Sequence, residues 1–167
     1  DIKDFNNLPI PFVCIATNVE TGEEVVMNRG YLPEAILASG TFPTLFEPAI
    51  IKGKVLIDGG VVNNYPLDKV YDMGADVVIG VDVQHGLSNR KALKSATEIL
   101  SQINKFQSVA YMEERSRKTD IYIKPEMSNF TVFDFDQRNA IIRLGEEAGR
   151  KMFEELKSLS KFQSSKK

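Results

Sequence analysis

The run Asp76 to Val83 (DVVIGVDV) constrains this chain more than any other stretch. It is rich in Val and Ile and nearly free of polar interruption, the pattern of a strand buried on both faces in a parallel sheet. Strand and helix signals alternate around it. Lys54 to Ile57 is a short apolar strand stopped by Gly59-Gly60, and Pro66 to Met73 reads as a helix that Pro starts and Gly74 stops. From about Lys91 to Arg117, Leu93, Ala96, Leu100, Ile103, Phe106 and Ala110 recur at steps of three and four, the period of a long helix. Its other side is rich in Lys, Gln and Glu with balanced charge, which reads as a solvated outer helix and not a membrane-surface one. Asp120 to Ile123 reads as another strand. From Asp136, read as an N-cap, Ile141, Leu144, Ala148, Met152 and Phe153 mark a last helix to about Lys157. The alternation predicts an α/β domain, layered α/β/α, with a largely parallel sheet.

Ahead of this region, Phe12 to Asn18 and Glu23 to Asn28 flank Glu20-Thr21-Gly22 as a hairpin. Tyr31 to Ser39 reads as a short helix, with Pro33 near its start and Gly40 just past its end. Residues 1–157 are expected to form one domain. Ser158 to Lys167 (SLSKFQSSKK), dominated by Ser and Lys, is expected to be a flexible tail or linker.

Composition narrows the function classes. With 43% hydrophobic and 26% charged residues over 167 positions, the chain can bury a core and is neither disordered nor a disulfide scaffold. Its 21 Lys+Arg against 23 Asp+Glu leave no basic excess to neutralise a phosphate backbone, so nucleic acid is not an expected partner. Cys14 is the single cysteine, and no apolar run approaches the roughly 20 residues of a membrane span. The first residue is Asp1 and no signal segment follows it, so the chain is expected to begin inside a longer protein, and its compartment stays open.

The segment Val55 to Pro66 (VLIDGGVVNNYP) carries the chemistry. A strand ends at Asp58 and two glycines follow, so the carboxylate stands at a strand tip, where open α/β sheets bind ligands. Gly59 and Gly60 are free to take positive φ and allow close approach. By itself Asp-Gly-Gly is also good turn chemistry, the Asp side chain bonding its own backbone. The flanking residues favour a site. Leu37 to Pro48 (LASGTFPTLFEP) lies upstream and Gly74 to Val83 (GADVVIGVDV) downstream.

This order resembles the carboxyl-terminal half of the patatin-like phospholipases: a helix ending in Ala-Ser, Phe-Pro and Phe-x-Pro turns, a strand into Asp-Gly-Gly, then Asn-x-Pro and a helix. The resemblance is most specific over Tyr31 to Val83, and Tyr122 to Pro125 with the Gly145 helix looks like the family's closing strand and helix. It implies a lipid acyl hydrolase with a serine–aspartate dyad and no cofactor. Asp58 would be the base, Gly59 and Gly60 would complete the motif, and Asn63 and Ser39 would lie nearby. The family's nucleophile sits in a Gly-x-Ser-x-Gly elbow, which this chain lacks. Gly86-Leu87-Ser88-Asn89-Arg90 comes nearest, and Arg90 is too large for so tight a turn.

The expected protein is therefore the aspartate-bearing part of the enzyme, inactive alone, acting in its intact form on phospholipid or another acyl ester. Transient membrane contact is expected of the intact form. The sheet, missing its serine strands, is expected to leave an unpaired edge that drives self-association. The rival reading is a non-catalytic α/β domain that binds lipid or a partner. A nucleotide-binding domain is disfavoured because no Gly-x-Gly-x-x-Gly or Walker loop is present.

Other candidates have plainer readings. His85, the single histidine, follows the apolar run and is either a surface loop residue or a neighbour of the catalytic rim. Asp82, His85 and Asp58 show no metal-ligand spacing, so no metal is expected. Ser39 either caps its helix or shapes a substrate channel. Phe42, Leu45 and Phe46 form an apolar cluster suited to core packing or to contact with a lipid chain.

Overall fold

A computed structural model describes residues 4–131 and 134–164. Strands β1 (Cys14–Asn18) and β2 (Glu24–Met27) form the expected hairpin, closed through Gly22 at φ +70°. Helix α1 (Leu32–Ser39) carries Pro33 in its first turn and ends at Gly40. Strands β3 (Ala49–Ile51) and β4 (Lys54–Asp58) follow as a second hairpin. Its two-residue turn, Lys52 and Gly53, has φ of +51° and +77°, the conformation that suits the twist of paired strands.

The two hairpins join edge to edge in the order β2-β1-β4-β3, with β1 antiparallel to β4 and Ala16 opposite Asp58. Helix α2 (Leu67–Asp72), strand β5 (Ile79–Val81), helix α3 (Ala96–Arg117) and strand β6 (Ile121–Ile123) come next, and β5 and β6 pair in parallel. Helices α4 (Arg138–Lys151) and α5 (Phe153–Ser164) close the described chain.

The α/β class stands, but the largely parallel sheet does not, because four of the six strands are antiparallel. Within each hairpin the reason is local: strands joined by a short loop, residues 19–23 in the first and Lys52-Gly53 in the second, must run antiparallel, and parallel pairing needs a crossover. Only β5 and β6, separated by α3, have one. β3 was not legible because three residues (AII) give no periodicity to count.

The apolar run also behaves differently from expectation. Only Ile79–Val81 is strand, and Ile79 and Val81 are 49% and 52% exposed. Among the described residues β5 pairs with β6 alone, so its far edge and the side chains flanking Gly80 lack a covering layer. Gly80 itself is buried, and a Cβ there would fall 1.5 Å from the Tyr65 hydroxyl oxygen.

The core is divided into three groups. Ala16, Leu56, Met27, Phe5, Ala35 and Ala38 pack between the four-stranded sheet and α1, with Leu56 1% exposed. Tyr65, Leu67 and Val78 form a second group, and Ile121, Ile123 and Ala148 a third. Tyr65 ties the second to the end of α3 through a 3.0 Å hydrogen bond between its hydroxyl and Thr119.

α3 starts at Ser95, which forms a capping box: its hydroxyl accepts the Glu98 amide while the Glu98 carboxylate accepts the Ser95 amide. The helix is turned opposite to the expected way. Ile99, Leu100, Ile103 and Phe106 are all about half exposed, and the polar stripe at 101, 104, 105 and 108 faces inward. The single last helix is two, broken at Met152 between α4 and α5, and α4 begins at Arg138 after a one-turn 3-10 segment that contains Asp136. The tail expected over 158–167 falls in α5 as far as Ser164, and beyond it lies outside the described residues.

Gly145 lies inside α4 with nothing within 4 Å of where a Cβ would stand. Gly145→Ala is therefore expected to stabilise the chain by about 0.5–1 kcal/mol, through the lower backbone entropy of Ala in a helix. Thermal unfolding should show a rise in Tm of about 1–4 °C.

Candidate active site

The side chain of Asp58 opens into a cleft of about 470 Å³ assembled from five stretches of chain. Phe42 and Pro43 enter from the loop after α1. Asp58, Gly60, Val61 and Asn64 come from the tip of β4 and its turn, and Val83, Gln84 and His85 from the segment after β5. Ser101, Asn104, Lys105 and Ser108 come from α3, and Met127, Phe130, Thr131 and Ile141 from the stretch before α4 and its first turn. Most of this wall is apolar, with a few convergent polar groups, as expected of a site for a small amphiphilic molecule.

Asp58 is held by three hydrogen bonds. Its N–H donates to the Thr41 carbonyl at 2.9 Å, and its carbonyl accepts the Thr17 hydroxyl at 2.8 Å. Its Oδ1 accepts the Gly60 N–H at 2.7 Å and so caps the 3-10 turn Gly59–Val61. Thus the turn reading is realised: one carboxylate oxygen closes the turn, and Oδ2 makes no hydrogen bond among the described residues. The residue is half-buried, and desolvation pushes its pKa above the ordinary Asp value despite the opposing Gly60 bond. A partly desolvated carboxylate is a stronger base than a free one, the direction that proton abstraction from an alcohol needs.

Of the two roles expected from sequence, the two glycines serve close approach and not positive φ. A Cβ on Gly59 would stand 2.2 Å from the backbone oxygen of Ile15, and one on Gly60 would stand 2.7 Å from Asn64 Oδ1 and 3.0 Å from Asp58 Oδ1. Gly59 therefore lets the turn lie directly on β1, and Gly60 leaves room for the Asp58 and Asn64 side chains.

Asn63 is buried beside the cleft and not in its wall. Its Oδ1 accepts from the Arg115 guanidinium, which also donates to the Tyr65 carbonyl, and its side chain hydrogen-bonds Asp68. It fastens the Asp58 turn to α3 and to the start of α2. Ser39, at the end of α1, is half-buried next to Cys14, whose thiol it hydrogen-bonds, and does not line the cleft. Of the aromatic cluster only Phe42 lines the cleft, while Leu45 and Phe46 are exposed.

His85 does lie in the wall. Its Nδ1 is 2.9 Å from the Gly86 carbonyl and its Nε2 is 3.0 Å from Lys105 Nζ. Asp82 is buried and bound by Gln84 N–H, the Tyr122 hydroxyl and Lys124. That network holds the end of β5 to the end of β6, and burial with the Asp82 carboxylate pushes the Tyr122 hydroxyl well above its ordinary pKa. Among the described residues no group of three His, Cys, Asp or Glu side chains is placed to hold a metal ion, and no helix is long and apolar enough to cross a membrane.

Sequence reading missed Lys105 and the polar wall around it. The signal was present, since 101, 104, 105 and 108 follow the i, i+3, i+4, i+7 pattern of one helix face. Polar residues on such a face are normally turned to solvent, so nothing marked them as cleft-lining.

Comparison with known proteins gives a family match over part of the chain. Residues 3–71, a span that includes Asp58 and both glycines, match the family model for patatin-like phospholipase. A lysophospholipase nte1 of Aspergillus niger is 26% identical over 173 residues, covering 89% of this chain and 11% of that protein. A lysophospholipase NTE1 of Coccidioides immitis is 25% identical over 174 residues, again with 89% and 11% coverage. An uncharacterised NTE family protein of Mycobacterium tuberculosis is 36% identical over 76 residues, covering 46% of this chain and 21% of that protein. The chain thus spans about a tenth of the length of the fungal relatives it matches.

Proposed function

We propose, from the premise that this chain is patatin-like over residues 3–71, that it supplies the aspartate of a serine–aspartate dyad in a lipid acyl hydrolase. The observation that carries the reading is the placement of Asp58: a partly desolvated carboxylate at a strand tip, one oxygen fixed by Gly60, in the lining of an apolar-walled cleft. The serine belongs to sequence outside residues 1–167. Its Oγ attacks the acyl carbonyl of a lysophospholipid or related ester while Asp58 takes the hydroxyl proton. The proton passes to the leaving alcohol, and water then releases the acyl group with Asp58 again as base. Strands that carry the serine would extend the sheet and cover apolar surface such as that flanking Gly80. Phe42, Met127 and Phe130 suit the acyl chain, and Asn63 and both glycines hold the turn in register.

In this reading 1–167 alone cannot turn over an ester, since it has the base but neither nucleophile nor oxyanion donors. The test is hydrolysis of lysophosphatidylcholine by this chain and by the protein with its natural upstream sequence. Activity is expected only in the longer form. Turnover by the 167-residue chain that disappears in Asp58→Ala would show that the nucleophile lies within it and overturn this division of labour. A longer form with no Gly-x-Ser-x-Gly serine and no activity would favour a binding domain.

A further inference from the structure

One cation in the cleft has no partner that balances its charge. Lys105 is half-buried on α3, and among the described residues no carboxylate lies within ion-pair distance of its Nζ. Its side-chain hydrogen-bond partner is the ring of His85. The two contacts of that ring fix its tautomer: Nδ1–H donates to the Gly86 carbonyl, so Nε2 carries the lone pair that accepts an N–H of Lys105. The histidine is thereby the neutral acceptor and the lysine the donor, while burial pushes the Lys105 pKa below the ordinary lysine value. Burial and the Lys105 charge both push the His85 pKa down, which agrees with that assignment.

His85 occupies one of the three ammonium hydrogens and aims the others. An ammonium in an apolar wall with only a neutral donor-acceptor beside it is costly unless an anion arrives. Asp58 is not that anion. It lines the same cleft, yet the two groups form no ion pair.

We infer that Lys105, oriented by His85, receives the phosphate of a lysophospholipid whose ester bond lies at Asp58. The inference rests on the proposed lipid-hydrolase reading and adds the group that selects charged over neutral lipids. Gln84 and Asn104, next to the two residues in the wall, are placed to offer amide hydrogens to the same phosphate. Apolar lining on the Phe42 and Phe130 side takes the chain. A lipid source is favoured over free phosphate because most of the wall beyond these polar groups has nothing to offer a hydrated ion.

The test is binding to this chain, read from the backbone amide resonances of Gly60, Gln84 and Lys105. The probes are n-octylphosphocholine, n-octyl glucoside and inorganic phosphate, with both amphiphiles kept below micelle-forming concentration. The phosphocholine is expected to bind about tenfold more tightly than the glucoside, as a charge-assisted contact predicts. Lys105→Met should abolish that preference, and Lys105→Arg, which keeps the charge, should retain it. Equal binding of both amphiphiles, or a preference that survives Lys105→Met, overturns the role of Lys105 but leaves a lipid cleft standing. Inorganic phosphate binding as tightly as the amphiphile overturns the lipid source. If neither amphiphile shifts these resonances, the lipid reading of the cleft fails first, and this inference with it.

Discussion

Asp58→Asn is expected to lower kcat/KM for lysophospholipid on the order of 10³-fold in the active longer form while making the 167-residue chain more stable at neutral pH. The two effects share one cause. Asparagine keeps the volume of the side chain, and its Oδ1 still accepts the Gly60 N–H, so the turn should survive. It cannot accept a proton from a serine. Its neutrality also removes a desolvation cost. Because burial raises the folded-state pKa of Asp58, the folded chain binds this proton more tightly than the unfolded chain.

The wild-type chain is therefore penalised as pH rises above the unfolded value of about 3.9 and through the raised folded value, and the penalty persists at neutral pH. Below that window both states are protonated and the penalty vanishes. Thermal unfolding of wild type and Asp58→Asn across pH 3 to 8 should show the variant gaining Tm relative to wild type as pH rises. A Tm difference that shrinks or reverses with rising pH would mean the carboxylate is better stabilised in the fold than its burial implies. Unchanged kcat/KM would remove Asp58 from the reaction altogether.

Gly59→Ala is expected to be the most damaging single methyl in the chain's active-site turn. The added Cβ would meet backbone, at 2.2 Å from Ile15 O and 2.5 Å from its carbonyl carbon, and backbone in a paired strand cannot swing aside. Either β1 moves away from β2 and β4, or the turn lifts from the sheet and carries Asp58 with it. A loss on the order of 3 kcal/mol or more is expected, at the upper end of overpacking costs. Gly60→Ala is the informative partner. There the clash is with the ends of the Asn64 and Asp58 side chains, which can rotate, so less stability and more activity should be lost. Urea unfolding of the two variants, with hydrolysis assayed in the active longer form, separates the roles. Gly59→Ala at wild-type stability would show that β1 and the turn are less tightly apposed than described.

The carboxylate itself was legible in the sequence because its surroundings are local. A short apolar strand, an Asp and two glycines over Val55 to Gly60 state their own geometry: strand tip, tight turn, side chain bonded back to the chain. The β1–β2 hairpin and the limits of α1 and α2 were legible for the same reason, since turn glycines and prolines act on their neighbours. That the glycines at 59 and 60 allow close approach was legible, but which atoms crowd them was not, because those atoms belong to Ile15 and Asn64, and Ile15 is brought there only by strand pairing.

Sequence alone thus determined most of the elements, though not β3 or the break at Met152, and it marked the candidate base, through the family pattern that surrounds Asp58. The tertiary structure decided how those elements face one another. It joined two hairpins into an antiparallel sheet where strand–helix alternation had suggested parallel pairing. It left Ile79 and Val81 half exposed, and it turned the polar stripe of α3 onto the cleft so that Lys105 and His85 line it together with Asp58. Periodicity reports that a helix has two unlike faces, but which face meets the rest of the molecule depends on contacts from distant parts of the chain.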